Sequence, residues 1–70
     1  MIEKANEAYN SGDFKTAFEL YTELAEQGNA DAQTSLGFMY QNAQGCEKDE
    51  KKVFEFYSMA AEAKQPYALF

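Results

Sequence analysis

The stretch DFKTAFELYTELAE, residues 13–26, returns thirty-six positions later as DEKKVFEFYSMAAE, residues 49–62. Six positions carry the likeness: Asp13, Ala17, Phe18, Tyr21, Ala25 and Glu26 recur as Asp49, Val53, Phe54, Tyr57, Ala61 and Glu62. Within each copy the apolar residues fall three and four apart, the spacing of a helix face. A repeat of this length with helical spacing inside it predicts stacked helical hairpins, because one such hairpin cannot bury its apolar face alone. The fold class that follows is all-α: an α-α superhelix of two stacked antiparallel helical hairpins.

Outward from that repeat, four helices can be placed. The first covers residues 2–10, with Ala5, Ala8 and Tyr9 on one stripe. Ser11-Gly12-Asp13 interrupts it, and the Asp13 carboxylate is suited to accept from free amides of the next helix. The second helix, residues 14–27, carries Ala17, Phe18, Leu20, Tyr21, Leu24 and Ala25. That stripe is too broad for a single neighbour, so the helix is expected to touch two. Gly28 ends it where a left-handed residue costs least. Asn29-Ala30-Asp31 opens the third helix, which runs through Ala32, Leu36, Phe38, Met39 and Tyr40. Gly37 inside it costs about 1 kcal/mol of helix propensity relative to alanine. That cost predicts close approach by a neighbouring helix. Residues 42–48 form a loop, and Asp49 caps a fourth helix expected to bury Val53, Phe54, Phe56, Tyr57, Ala60 and Ala61.

The copies are not identical in spacing. Tyr9 and Tyr40 lie thirty-one residues apart, five fewer than Asp13 and Asp49, so the second hairpin has the longer connection. The chain reads as one domain, 1–70, with a first hairpin at 1–28 and a second at 29–64. Ala68 follows Ala32 by thirty-six residues and Pro66 suits a first helical turn, so 65–70 either open a third repeat or fold back as a C-terminal cap.

Composition narrows the function classes. Twelve acidic and six basic side chains give a net charge of −6, which argues against nucleic acid and against an anionic membrane surface. A basic or neutral protein partner is permitted. The charged start, Met1-Ile2-Glu3-Lys4-Ala5-Asn6-Glu7, does not fit a signal peptide, and the apolar runs are too short to span a membrane. A lone Cys46 can form no internal disulfide, so the expected location is cytoplasmic, or secreted or periplasmic had a leader been removed.

At Ala32, Leu36-Gly37, Tyr40, Gly45, Asp49, Lys52, Phe56-Tyr57 and Ala60-Ala61 the chain resembles the Sel-one-like repeat proteins, a branch of the tetratricopeptide-repeat superfamily. The tight Tyr9-Asn10-Ser11-Gly12-Asp13-Phe14 turn is closer to an ordinary tetratricopeptide unit. Departures are specific. Ala43 stands where a loop glycine is usual, Lys64 stands where Gly28 stands in the first copy, and Phe56 takes a place often held by tryptophan. Cys46 occupies a small aliphatic position, which reads as a buried loop anchor. A cysteine-rich secreted branch of the family binds β-lactams, and a β-lactam-binding enzyme is a remote alternative on that resemblance alone, since the branch's cysteine pair is absent here.

No catalytic constellation is legible. The chain has no histidine, so a serine or cysteine nucleophile lacks its commonest base, and Glu47 beside Cys46 would raise rather than lower the thiol pKa. Glu3 and Glu7 share a helical face, as do Glu19, Glu23 and Glu26, and both sets read as solvated faces rather than metal sites. No cofactor or metal is expected. Tyr9, Tyr21, Tyr40 and Tyr57 match helix-packing positions of the resembled family. Their hydroxyls are expected at the periphery or on a backbone carbonyl, since a buried unpaired hydroxyl costs about 1–3 kcal/mol.

The resemblance implies a function without chemistry. In related arrays the first helix of each hairpin lines a concave groove that reads a protein ligand. Carried over, the groove would present Glu3, Glu7 and Asn10 from the first hairpin and Asp31, Thr34, Phe38, Gln41 and Asn42 from the second. Carboxamides can clamp a peptide backbone, the acids favour a basic segment, and Phe38 supplies an apolar anchor. A second reading is structural: apolar repeat ends, with Phe54, Phe56, Leu69 and Phe70, would drive homo-oligomerisation or continue into further repeats.

Overall fold

The computed structural model of the chain describes residues 2–64. The expectation for residues 65–70 lies outside the described residues. Four helices follow in order: α1 (Ile2–Asn10), α2 (Phe14–Glu26), α3 (Ala30–Asn42) and α4 (Glu50–Lys64). The described residues contain no strand, and no helix among them is long and apolar enough to cross a membrane. The fold is all-α, with each helix packed on the next.

The caps explain where the helices start. Asp13 Oδ1 accepts from the Thr16 amide at 3.3 Å, Asn29 Oδ1 from the Ala32 amide at 2.9 Å, and Asp49 Oδ1 from the Lys51 amide at 3.0 Å. Each such cap contributes about 1 kcal/mol by satisfying a donor that the helix itself cannot. At the end of α2, Gly28 at φ 93° lets its own amide reach the Ala25 carbonyl at 3.0 Å and the Asn29 amide reach Leu24 at 3.1 Å. Two orphan carbonyls are thereby paired. The end of α3 uses Ala43, also left-handed at φ 54°, ψ 45°, with its amide on the Met39 carbonyl. The missing loop glycine thus falls where its backbone freedom would help.

Helix α2 lies between α1 and α3, as the breadth of its stripe requires. Ala5, Ala17, Tyr21, Leu24, Ala25, Ala32, Leu36 and Met39 form the core. The alanines bring helix axes close, and Leu36 and Met39 are the largest fully buried side chains. Three rings then tie the layers: Phe18 of α2 meets Tyr40 of α3 edge-on at 5.5 Å, and Tyr40 stacks on Phe56 of α4 at 5.8 Å. Gly37 has the close neighbour its sequence position predicts. A Cβ there would lie 2.7 Å from Cε1 of Tyr57, so the intruder is a ring from α4.

One expectation fails on α4. Of the six residues expected to be buried, only Ala60 is; Val53 and Phe56 are half-buried, Tyr57 is 36% exposed, Phe54 is 74% exposed and Ala61 is exposed. The reason is topological. In the first copy the matching residues Phe18, Tyr21 and Ala25 are covered by α3, whereas among the described residues no helix follows α4.

Candidate protein-binding groove

A hollow of about 260 Å³ is lined by Tyr9 of α1, Thr34, Ser35 and Phe38 of α3, and Tyr57 of α4. The local sequence explains Phe38. Leu36, Gly37 and Met39 all turn inward and are buried, so the ring between them is left at the surface, 46% exposed. A hundred degrees of helical rotation per residue enforces that choice.

Of the eight residues expected to form the groove, Thr34 and Phe38 line this hollow. Glu3, Glu7, Asn10 and Asp31 are exposed on α1 and on the first turn of α3, and do not line it. By the thirty-one-residue offset, Glu3 and Glu7 hold in α1 the places of Thr34 and Phe38 in α3. Gln41 lines a different hollow of about 310 Å³, with Lys48, Glu50, Val53, Phe54 and Tyr57. Two polar groups are partly committed to their own helix: Thr34 Oγ1 donates to the Ala30 carbonyl at 3.1 Å and Asn42 Nδ2 to the Phe38 carbonyl at 2.9 Å. Asn42 therefore keeps its side-chain oxygen and one N–H for any partner.

Three of the tyrosine hydroxyls, those of Tyr9, Tyr21 and Tyr57, find side-chain carboxamides rather than backbone carbonyls. Tyr9 donates to Gln44 Oε1 at 2.8 Å and so ties α1 to the α3–α4 loop. Tyr21 donates to Asn6 Oδ1, and Tyr57 to Gln41 Oε1 at 3.4 Å. The two hairpins solve one problem differently. Where α1 offers Asn6 to the tyrosine hydroxyl, α3 offers Gly37 beneath the ring, and Tyr57 reaches one turn further to Gln41. Tyr57 consequently lines both hollows. Packing alone was the expectation for Tyr9 and Tyr57; the signal for a surface role was the helical glycine opposite Tyr57.

Burial raises the pKa of Tyr21 and of Tyr40, the latter helped by the nearby Cys46 and Asp49. Burial likewise pushes the Cys46 thiol up, and its Sγ donates to the Met39 carbonyl at 3.7 Å. The half-buried thiol thus ties the α3–α4 loop back to the end of α3.

The family model for the Sel1 repeat matches residues 8–29 and 30–64. Sel1 repeats are generally protein-interaction modules and typically not enzymes. No curated protein and no solved structure gives a match.

Proposed function

Because the chain belongs to the Sel1 repeat family, whose model covers well over half of it, we propose that it is a scaffold module that binds a short peptide or a helix along the α1–α3 face. The observation that carries this is Phe38: a ring 46% exposed at an apolar hollow, flanked on its own helix by three buried residues. Core packing has no use for it, and an exposed ring beside a preformed hollow is the geometry of an anchor. The surrounding charge selects the ligand. Glu3, Glu7 and Asp31 bring acids to the same pair of helices, and a net charge of −6 favours encounter with a basic segment.

Peptide display against the immobilised chain, followed by titration of the selected peptides, tests the reading. Selected sequences should pair a large apolar residue with lysine or arginine, and both Phe38→Ala and Glu7→Lys should weaken them about tenfold. Equal binding by wild type and both variants would remove the groove.

A second reading rests on a separate observation, the contrast between Phe54, 74% exposed, and its covered counterpart Phe18. On this reading the open face of α4 seats another helix of the α3 kind, from a further repeat or a second copy. Light scattering at high micromolar concentration tests the second copy. A dimer lost in Phe54→Glu supports it, and a monomer throughout counts against it.

A further inference from the structure

We propose that the cleft between the C-terminal half of α2 and α4 is a second binding site, built to take an arginine side chain from a partner protein. It lies apart from the α1–α3 face and uses none of the residues assigned to that groove.

Gln33 carries the inference. Its side chain is only 6% exposed, and Nε2 donates to the Ala25 carbonyl at 3.2 Å, which fixes the orientation of the amide. The other end, Oε1, is buried without a hydrogen-bond donor. Buried side-chain oxygens are nearly always paired, so this one asks for a donor from outside. Gln33 lines a cleft of about 470 Å³ with Thr22, Ala25, Glu26, Gly28, Phe56 and Met59. None of these supplies the missing donor. The Thr22 hydroxyl is given to the Phe18 carbonyl at 2.7 Å, the Gly28 amide to Ala25, and the remaining side chains are hydrocarbon, thioether or carboxylate.

Three features select a cation. Among the described residues Glu26 is the one charged side chain in the wall, the C-terminal end of α2 carries the negative pole of that helix, and the whole chain is acidic. The choice of arginine over lysine follows from shape. A guanidinium is planar, presents donors in two directions, and can reach Gln33 Oε1 and the Glu26 carboxylate together. Its weak hydration suits an aromatic and thioether wall better than a compact ammonium does, and its stem can lie along Met59 and Ala25. Because Oε1 is shielded, entry requires a wall side chain to give. Met59 is 39% exposed, unbranched and adaptable.

The test uses the whole chain and N-acetyl-arginine methylamide, with the citrulline and lysine analogues as controls. Nitrogen-15 spectra follow the Gln33 side-chain amide and the Gly28 backbone amide. The arginine probe should produce saturable shifts at both, with a dissociation constant on the order of millimolar. Gln33→Leu should weaken it at least tenfold, Glu26→Gln by about threefold or more, and Phe38→Ala by less than twofold. No saturable shift, equal binding by citrulline or lysine, or undiminished binding by Gln33→Leu would overturn the proposal. If Gln33→Leu proves unfolded by circular dichroism, the exposed Glu26→Gln decides in its place, and undiminished binding again overturns it. Because Phe38→Ala should spare this site, its failure and that of the groove are distinguishable.

Discussion

Replacing Gly37 by alanine sets two effects of similar size against each other. Alanine in mid-helix gains about 1 kcal/mol over glycine. The new Cβ, however, would sit 2.7 and 2.8 Å from two ring carbons of Tyr57, with a third ring atom at 3.3 Å. Carbon pairs prefer about 3.5–4.0 Å, so the ring must retreat by about 1 Å or leave its seat. Forcing a methyl into a filled site costs about 1–3 kcal/mol. The ring is 36% exposed and can swing outward, which caps the penalty near the value of its burial, about 2 kcal/mol. The balance predicts that Gly37→Ala destabilises by about 1 kcal/mol, a fall in Tm of roughly 4–8 °C for a domain of this size. In a Tyr57→Ala background the obstruction is gone, and the same substitution should stabilise by about 1 kcal/mol. Urea and thermal melts of the four proteins, followed by far-ultraviolet circular dichroism, give the cycle directly, with a coupling of about 2 kcal/mol. Stabilisation by Gly37→Ala in the wild type, or simple additivity, would show that the ring does not occupy that seat.

Two neighbouring loop substitutions should act in opposite directions. Ala43→Gly relieves a left-handed alanine at φ 54° and should stabilise by about 0.5–1 kcal/mol after the entropy cost of glycine. Gly45→Ala puts a Cβ 2.5 Å from the Phe14 carbonyl oxygen at φ 75° and should destabilise by about 2 kcal/mol or more, both read from urea midpoints. Gln33→Leu loses one hydrogen bond worth about 1 kcal/mol but removes an unpaired acceptor costing about 1–3 kcal/mol, so stability should hold or rise by about 1 kcal/mol. A loss beyond about 1 kcal/mol in its thermal melt would mean that Oε1 is satisfied in solution. Tyr21, Tyr40 and Cys46 all have pKa values raised by burial, so the fold favours their neutral forms. Their contribution is fully present below the unfolded-state values, near 8.5 for a thiol and about 10 for a phenol, and is lost as pH rises through the higher folded ones. Urea midpoints should therefore fall above about pH 9, and a flat profile to pH 11 would refute the burial of these groups.

Most of the fold was legible because its signals are local. Asp13, Asn29 and Asp49 cap helices through contacts two or three residues away, and Gly28 closes α2 through its own backbone angle. Even the doubly packed α2 could be read, since the width of its stripe is a property of α2 alone. What could not be read depends on partners distant in sequence. Tyr9 reaches Gln44 across thirty-five residues, and no pattern in either segment announces the pair. The exposure of α4 is hidden from the sequence for the same reason. Phe18 and Phe54 are the same residue in the same local context, yet among the described residues only Phe18 has a ring from the next helix laid against it. At the hollow between Tyr9 and Tyr57, Phe38 could be placed from the positions that the resembled repeats give to groove residues, whereas Tyr57 was hidden by its membership of the packing set.

The same asymmetry bears on what the molecule is for. A repeat pattern copies side chains, but exposure is decided by whatever lies next in the stack, so identical positions acquire different work. Tyr21 is sealed, 3% exposed and bonded to Asn6, whereas its copy Tyr57 lines two hollows and leans over Gly37. Gln33 differs in kind: it is buried at a position where an apolar side chain would close the α2–α4 cleft without leaving an acceptor unpaired. Neither Gln33 nor Phe38 belongs to the apolar cluster that holds the four helices together. An unpaired buried oxygen and a large exposed ring are therefore costs that folding alone gives no reason to carry. Both sit in hollows, one on each face of the layer of helices. A protein that recognises partners by shape and hydrogen bonding has reason to keep both, and their removal should leave the fold intact while abolishing what it holds.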